Sequence, residues 1–474
     1  MTVYCLLLIM SSNIEVGEKT GRVFLNNDEI EGETLKQIKA MIKEDAIENA
    51  RIMPDCHKSK NCCVGFTSKL VNKIVPNYVG NDIGCGIVSY PIELKKSVES
   101  FRQKQLEKII SDIDTNIAFP SHNRSALSLD MVFESFKVPV NRIFDLANSD
   151  AQKFKTYYQG KFKTDITGKI PIYNQEWLEG FLTRTKLSNQ EFYGSLMTLG
   201  SGNHFIEFNR STNTKKEYVT VHSGSRIVGK KICEHHQNKI YTSSNDAIWL
   251  EFDKKGELFN KSNKNKKDRL DYRNQLRSEM KEMTQTKKKF LEEGEAIDYY
   301  IDMIFGQKYA IVNREMMINY VLNKLSNELV FDPSKKIESI HNYIDFEDFI
   351  MRKGAISSKK DEICLIALNM AEGVLLCKGK GNEDWNYSCA HGAGRQMTRE
   401  KAIKSRIPIE KRLIKILEKN GVYSSAQSQI KLLVDEAPEC YKESGLIVER
   451  IQPTVEIIDH LKPFINIKSC KIEK

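Results

Sequence analysis

The chain has 474 residues, 40% hydrophobic and 28% charged, a globular composition that excludes an intrinsically disordered protein. Its 72 Lys and Arg exceed its 63 Asp and Glu by a net +9, which favours a polyanionic partner. No run of 18 apolar residues occurs, which excludes a membrane-spanning helix.

The opening run Val3-Tyr4-Cys5-Leu6-Leu7-Leu8-Ile9-Met10 is short and lacks a basic flank, so it reads as a buried strand rather than a signal peptide. The 11 cysteines are odd in number and have no framework spacing. Without an export signal they are expected as reduced thiols or metal ligands in a cytosolic protein. Leu35, Ile38, Ile42, Ala46 and Ile47 predict an amphipathic helix from Leu35 to Ala50, with Thr34 as its N-cap. Met53 to Tyr90 is rich in Gly, Cys, Asn and Pro, with short β-branched runs such as Lys73-Ile74-Val75, and predicts strands joined by tight loops. Leu196 to Phe208 and Tyr218 to Val221 predict two further strand-loop units.

Residues 254–289 hold 13 Lys or Arg against 5 Asp or Glu. Leu270, Leu276, Met280 and Met283 leave a weak apolar stripe, which predicts a long, exposed basic helix and then a second helix from about Tyr309 to Leu329. The basic face is either solvated or a nucleic-acid contact. No repeat, low-complexity tract or Pro-rich linker divides the chain. It is therefore read as one domain over residues 1–474, with a basic helical insertion at about 246–330.

Four of the nine histidines sit in strings rich in Gly, Ser or Asn, where loops and strand ends carry function. These are Gly200-Ser201-Gly202-Asn203-His204, His222-Ser223-Gly224-Ser225-Arg226, His341-Asn342-Tyr343 and His391-Gly392-Ala393-Gly394-Arg395. Asn81-Asp82-Ile83-Gly84-Cys85-Gly86 adds a carboxylate and a thiol three positions apart, and its glycines permit a sharp turn. Asp, Cys and several imidazoles form a mixed donor set that accommodates zinc, manganese, iron or cobalt, and donor chemistry alone favours zinc. Asp82 and Cys85 by themselves also suit a capped turn with a buried thiol. Walker, Gly-x-Gly-x-x-Gly, His-Glu-x-x-His and Cys-x-x-Cys patterns are absent. Lys378-Gly379-Lys380-Gly381-Asn382, just before His391 and its Gly-Ala-Gly-Arg, suggests a loop that handles phosphate.

Together these strings resemble the RtcB family of RNA-splicing ligases. The resemblance rests on Pro54-Asp55-Cys56-His57, Val79 to Gly86, Gly202 to Glu207, His222 to Arg226, Asn313-Arg314, His341-Asn342-Tyr343, Arg352 to Ala355, Gly379 to Asn382, His391 to Arg395, and Leu461-Lys462-Pro463 with Lys468, all in family order. It implies a single large α+β domain with packed sheets, surrounding helices and a deep central metal and nucleotide cleft. It also implies two manganese ions, with zinc or cobalt able to take the same ligands, and GTP as cosubstrate. By the resemblance, Asp82, Cys85, His204, His222 and His341 are metal ligands, with Cys85 bridging, and His391 is the residue that becomes guanylylated. Asn203, Glu207, Asn342, Asn369, Gly392, Ala393, Gly394 and Lys468 contact GTP, with Glu207 reading the guanine edge. Arg226, Arg395 and Arg399 are candidates for RNA phosphates, and Asp55 is an acid near the cleft.

The implied reaction joins an RNA 3′-phosphate or 2′,3′-cyclic phosphate end to a 5′-hydroxyl end through a GMP-histidine intermediate and an RNA-3′-pp-G end, in tRNA splicing or RNA repair. The chain departs from the family pattern in several places. Ala367-Leu368-Asn369-Met370-Ala371-Glu372 replaces a Pro-Gly-Ser-Met segment, so Asn369 stands in for a serine, and Val374 replaces a second serine. Cys389-Ala390 precedes His391 where Ser-Cys-Ser is usual, and Ser469 to Lys474 extend past Lys468. These departures point to a divergent branch. Two other readings use the same features: a metal-dependent phosphohydrolase opening cyclic phosphates without GTP, and a non-catalytic RNA-binding protein using the basic segment.

Overall fold

The computed structural model describes residues 11–101, 129–262, 265–283, 289–424, 430 and 433–468. The strand expected at Val3–Met10 lies outside these residues. Two sheets frame the molecule. The six-stranded sheet runs, edge to edge, Ser12–Val16, Lys19–Val23, Glu48–His57, Val64–Lys69, Ile350–Lys353 and Asn342–Asp345. The nine-stranded sheet runs Leu329–Phe331, Gly86–Leu94, Glu217–Ser223, Phe205–Ser211, Val455–Ile467, Val374–Gly379 and Ile363–Ala367. Ile337–Ile340 also pairs with Gly86–Leu94, and Tyr423–Ser424 runs parallel to Val455–Ile467.

The central strand Glu217–Ser223 has neighbours on both sides and is buried on both faces. Its Val219 and Val221 face apolar side chains, and the Thr220 hydroxyl is satisfied by Ser89 Oγ at 2.9 Å. Against this sheet and the helices Leu129–Phe162 and Arg226–Ser262 packs the helix Glu293–Lys324. Its earlier turns enter an aromatic cluster, where Phe305 meets Tyr173, Trp177, Phe181 and Phe192. Its last turns place Met317, Ile318, Val321 and Leu322 on the sheet. The result is a single large mixed α+β domain.

Three sequence expectations are corrected. The helix expected from Leu35 to Ala50 is the helix Gly32–Lys43 followed by the strand Glu48–His57. Ile38 and Ile42 do face the core, but Ala50 and Ile52 belong to the strand, whose Arg51 pairs with Thr67. Thr34 lies inside the first turn, where its hydroxyl donates to Glu31 Oε2, and does not cap it. The second helix begins at Glu293, not Tyr309. From Ala296 to Ala310 nearly every residue of that helix is buried, so no polar stripe marks its start. It is core, although it falls within the range expected as an insertion.

The basic segment is helical but broken into Arg226–Ser262 and Lys266–Met283. Asn265 Oδ1 accepts from the Lys267 backbone N–H at 3.0 Å and so caps the second piece. Phe252 and Leu276 are buried, and Phe259 stacks on Tyr272 at 4.0 Å. No helix among the described residues is long and apolar enough to cross a membrane.

Candidate metal and nucleotide site

Strand ends from both sheets meet at one pocket of about 540 Å³. Cys85 precedes the strand Gly86–Leu94, His204 precedes Phe205–Ser211, and His222 lies next to the end of Glu217–Ser223. His341 sits between Ile337–Ile340 in one sheet and Asn342–Asp345 in the other. Arg314, fully buried on the central helix, fixes this junction. Its Nη1 donates to the carbonyls of Gly84 (2.7 Å) and Ser223 (2.9 Å), while Nε and Nη2 grip Glu338 Oε1. The neighbouring Asn313 bonds the backbone of Thr198 and Gly224. The Asn313-Arg314 motif is thus scaffold behind the site. Gly84 has φ +69°, and a Cβ there would stand 2.8 Å from Gln307 Cα, so only glycine allows the turn that aims Asp82 and Cys85 together.

The five donors converge. Cys85 Sγ is 3.4 Å from His204 Nε2 and 3.4 Å from His222 Nε2. Asp82 Oδ2 is 3.0 Å from His204 Nε2, and His222 Nε2 is 3.5 Å from His341 Nε2. His204 Nδ1 donates to the Leu199 carbonyl at 2.8 Å and His222 Nδ1 to the Asn203 carbonyl at 3.2 Å. These bonds direct each Nε2 towards Cys85, as in a metal site with its outer hydrogen bonds in place. Among the described residues, Cys85, His204 and His222 bring one ligand atom each within 4.8 Å of one another, close enough to hold a metal ion. Burial, reinforced by Asp82, pushes the Cys85 thiol well above its usual range. Burial, with the neighbouring histidines, holds His222 and His341 well below theirs, so both imidazoles are neutral. Burial would also raise Asp82, but hydrogen bonding and charge from His204 outweigh it and keep the carboxylate ionised. One carboxylate, one thiol and three imidazoles fit a borderline transition ion, which would displace the thiol proton on binding.

His391 lines the same pocket, its ring 4.7 Å from that of His341. Asp55 lies behind it, fully buried. Asp55 Oδ2 accepts from His391 Nδ1 at 2.6 Å and from the backbone N–H groups of His391 (3.1 Å) and Gly392 (3.3 Å). This bond commits the Nδ1–H, so the neutral tautomer of the ring carries its lone pair on Nε2. Gly394 has φ +69°, and a Cβ there would collide with the Asp55 carbonyl, so the Gly-Ala-Gly loop needs its last glycine to close on Asp55.

Glu207 lines the pocket and is 1% exposed. Its oxygens accept from Asn466 Nδ2 (2.7 Å) and Asn209 Nδ2 (2.9 Å). Burial raises its carboxyl to about 7, partly offset by those amides and Lys468. Asn203, Asn342, Asn369, Gly392, Ala393, Gly394, Arg395, Arg399 and Lys468 line the pocket as well. Asn342 is already engaged: its Nδ2 donates to the Asp82 carbonyl and its Oδ1 accepts from Gly354 N–H. Asn369 Oδ1 caps the N–H groups of Ala371 and Glu372, so it closes a turn rather than offering a free serine-like group. Val374 is buried in the nine-stranded sheet.

Two sequence-selected groups stand elsewhere. Arg226 is outside the pocket lining and donates to Thr198 Oγ1 at 3.1 Å. The Gly379–Asn382 loop is also outside it. Lys380 Nζ donates to the Gln452 carbonyl and Asn382 Nδ2 to that of Pro453, so the expected phosphate loop serves as a structural tie. Sequence reasoning missed Glu436 and Tyr441, which line the pocket. Nothing in Asp435-Glu436-Ala437-Pro438-Glu439 distinguishes a buried acid from a solvated turn.

Fold and site together define a mixed α+β protein with a candidate metal centre beside an anchored histidine. The sequence model of the family described as tRNA-splicing ligase RtcB matches residues 37–469. The RNA-splicing ligase RtcB of Escherichia coli is 26% identical over 436 residues, covering 88% of this chain and 89% of its own. The RNA-splicing ligase RtcB2 of another Escherichia coli strain is 21% identical, covering 93% of each. A tRNA-splicing ligase RtcB of Methanococcus maripaludis is 22% identical, covering 82% of this chain and 81% of its own. The chain belongs to the RtcB family of RNA ligases.

Proposed function

We propose that this protein is a GTP- and manganese-dependent ligase joining RNA 3′-phosphate or 2′,3′-cyclic phosphate ends to 5′-hydroxyl ends. The observation that carries the reading is the apposition of His391, anchored by Asp55, to two donor sets that share Cys85 Sγ: Asp82, Cys85, His222, His341 and His391 line one pocket, and His204 stands outside its lining with Nε2 3.4 Å from Cys85 Sγ. One set is Asp82, Cys85 and His204; the other is Cys85, His222 and His341. Each set would hold one ion. Bound ions would supply positive charge to the phosphoryl oxygens and the leaving pyrophosphate.

In this reading His391 Nε2 attacks the α-phosphorus of GTP, forming a P–N bond as pyrophosphate leaves. Asp55 holds the ring orientation and stabilises the positive charge the imidazole acquires. Glu207, in the lining of the same pocket, accepts from the guanine N–H donors. A cyclic phosphate end is first opened by water to a 3′-phosphate. An oxygen of that phosphate then takes GMP from His391, which regains its lone pair. The 5′-hydroxyl of the second RNA attacks the activated 3′-phosphorus, losing its proton as GMP departs. Arg395 and Arg399 line the same pocket, which supports a role for them in meeting RNA phosphates.

The basic helical insertion at about 246–330 would give the protein an RNA-backbone contact, carried by exposed cations of the helix Lys266–Met283 such as Lys267 and Arg273. The nine described cysteines are all free and buried, which suits a cytosolic enzyme in tRNA splicing or RNA repair. The test is incubation with labelled GTP and manganese: a covalent GMP adduct should form and should be lost in His391→Ala.

A further inference from the structure

We propose that Glu436 is a positioning residue of this reaction, a buried counter-ion that holds Arg395, Arg399 and Lys468 in register for the anionic groups of the substrates. The proposal rests on the ligase reading and adds to it a residue that touches none of the reacting atoms.

Glu436 is 3% exposed and belongs to a short turn, Val434–Glu436, remote in sequence from every motif. Both of its carboxylate oxygens are filled. Oε1 takes Arg399 Nη1 at 2.6 Å and Arg395 Nη1 at 3.3 Å. Oε2 takes Lys468 Nζ at 3.0 Å and the Tyr441 hydroxyl at 2.7 Å. Burial alone would raise this carboxyl, but the charges of Lys468, Arg399 and Arg395 hold it far below the usual range.

The cations come from separate parts of the chain. Arg395 follows the Gly-Ala-Gly loop of His391, Arg399 opens the helix Arg399–Lys404, and Lys468 follows the strand Val455–Ile467. Lys468 Nζ also donates to the Gly202 carbonyl at 3.2 Å, two residues before His204. One carboxylate therefore ties the His391 loop, a helix start and the nucleotide edge of the nine-stranded sheet into one arrangement. Three like charges gathered around a buried point repel one another; Asp435 also pairs with Arg399 and its carbonyl accepts from Arg395, but Glu436 is the one acid that meets all three cations. The long side chains are thereby ordered before substrate arrives, which lowers the entropy cost of binding phosphates.

This role has a sign that separates it from simple charge balance. Glu436→Gln removes one negative charge from an anion-binding pocket. If the acid merely competed with phosphate for the cations, the variant would bind RNA more tightly. If the acid positions them, the variant binds more weakly.

The experiment titrates the purified full-length protein with a short RNA bearing a 3′-phosphate and with the same RNA bearing a 3′-hydroxyl. It also measures kcat and KM for His391 guanylylation by GTP, with thermal unfolding as the folding control. Folded Glu436→Gln should bind the 3′-phosphate RNA about tenfold more weakly and lose its preference over the 3′-hydroxyl RNA, an effect of roughly 1.4 kcal/mol. KM for GTP should rise, with kcat within about twofold of wild type. Glu436→Asp keeps the charge at shorter reach and should recover part of both losses; it also decides the matter if the Gln variant fails to fold. Unchanged or tighter binding in either folded variant, or a fall in kcat with KM unchanged, would overturn the proposal. A wild-type protein that forms no GMP adduct would overturn the ligase reading and this proposal together. A wild-type protein that forms the adduct while its variants bind normally would overturn the role of Glu436 alone.

Discussion

In the proposed reaction Glu207 would make guanine recognition a function of pH. A carboxylate accepts from guanine N–H groups, but a protonated carboxyl cannot accept at both oxygens. Burial raises this carboxyl from its ordinary 4.5 to about 7, so holding it charged costs about 3 kcal/mol. About nine-tenths of the protein carries a protonated Glu207 at pH 6 and about one-tenth at pH 8, so KM for GTP should fall roughly tenfold over that interval and level off above it. The stability of the free protein moves the opposite way. The folded carboxyl binds its proton more tightly than the unfolded one, so this residue adds stability as pH falls from about 7 toward 4.5. The assay is the rate of GMP-adduct formation against GTP concentration at half-unit pH steps, at saturating manganese. Glu207→Gln is the control: its KM should be high and flat with pH. A wild-type KM independent of pH between 6 and 8, or a slope that survives in Glu207→Gln, refutes the reasoning.

Asp55→Asn removes a charge-assisted bond to His391 Nδ1, an interaction in a class that contributes about 1.5–3 kcal/mol, so guanylylation should slow by roughly 10- to 100-fold with metal content intact; an unchanged rate would remove Asp55 from the mechanism. Cys85→Ala takes away the only donor shared by both ligand sets, so it should lower bound manganese more than any single histidine substitution; mass spectrometry showing two ions per chain in the variant would contradict a bridging thiolate. Lys267 and Arg273 are exposed on the second basic helix, and changing both to Gln should flatten the salt dependence of RNA binding by about 1–2 in log–log slope while guanylylation is unaffected; an unaltered slope would make that face merely solvated.

The parts of the site that sequence made legible are those in which chemistry and backbone demand coincide. Histidines beside Gly, Ser and Asn marked strand ends; His204 and His222 meet Cys85, His341 follows at His222, and His391 stands beside His341. The anchoring of His391 by Asp55 was not legible, because the partners are 336 positions apart and their pairing is set by how the two sheets face each other. Glu436 was hidden for the same reason, since its burial depends on three cations from distant segments. Among the elements, the helix Glu293–Lys324 has apolar residues on every side and so gives no period to mark its start. The apolar residues between Leu35 and Ala50 fit a helical spacing that ends, in the structure, at Lys43. The strand that follows is fixed by pairing with Val64–Lys69, which a local window cannot see. The Lys378–Asn382 loop misled because small and basic residues suit a tie to Gln452 and Pro453 as well as they suit a phosphate.

The central claim is that His391 carries GMP between GTP and an RNA 3′-phosphate. Its most direct test is to incubate the protein with GTP, manganese and an RNA pair bearing a 3′-phosphate and a 5′-hydroxyl, and to map any modified residue by mass spectrometry of the quenched reaction. The account predicts joined RNA, a GMP mass on the peptide containing His391, and loss of both when GTP is omitted or His391 is changed to Ala. Cyclic-phosphate opening or RNA joining that proceeds without GTP, or a GMP adduct that survives in His391→Ala, would contradict it.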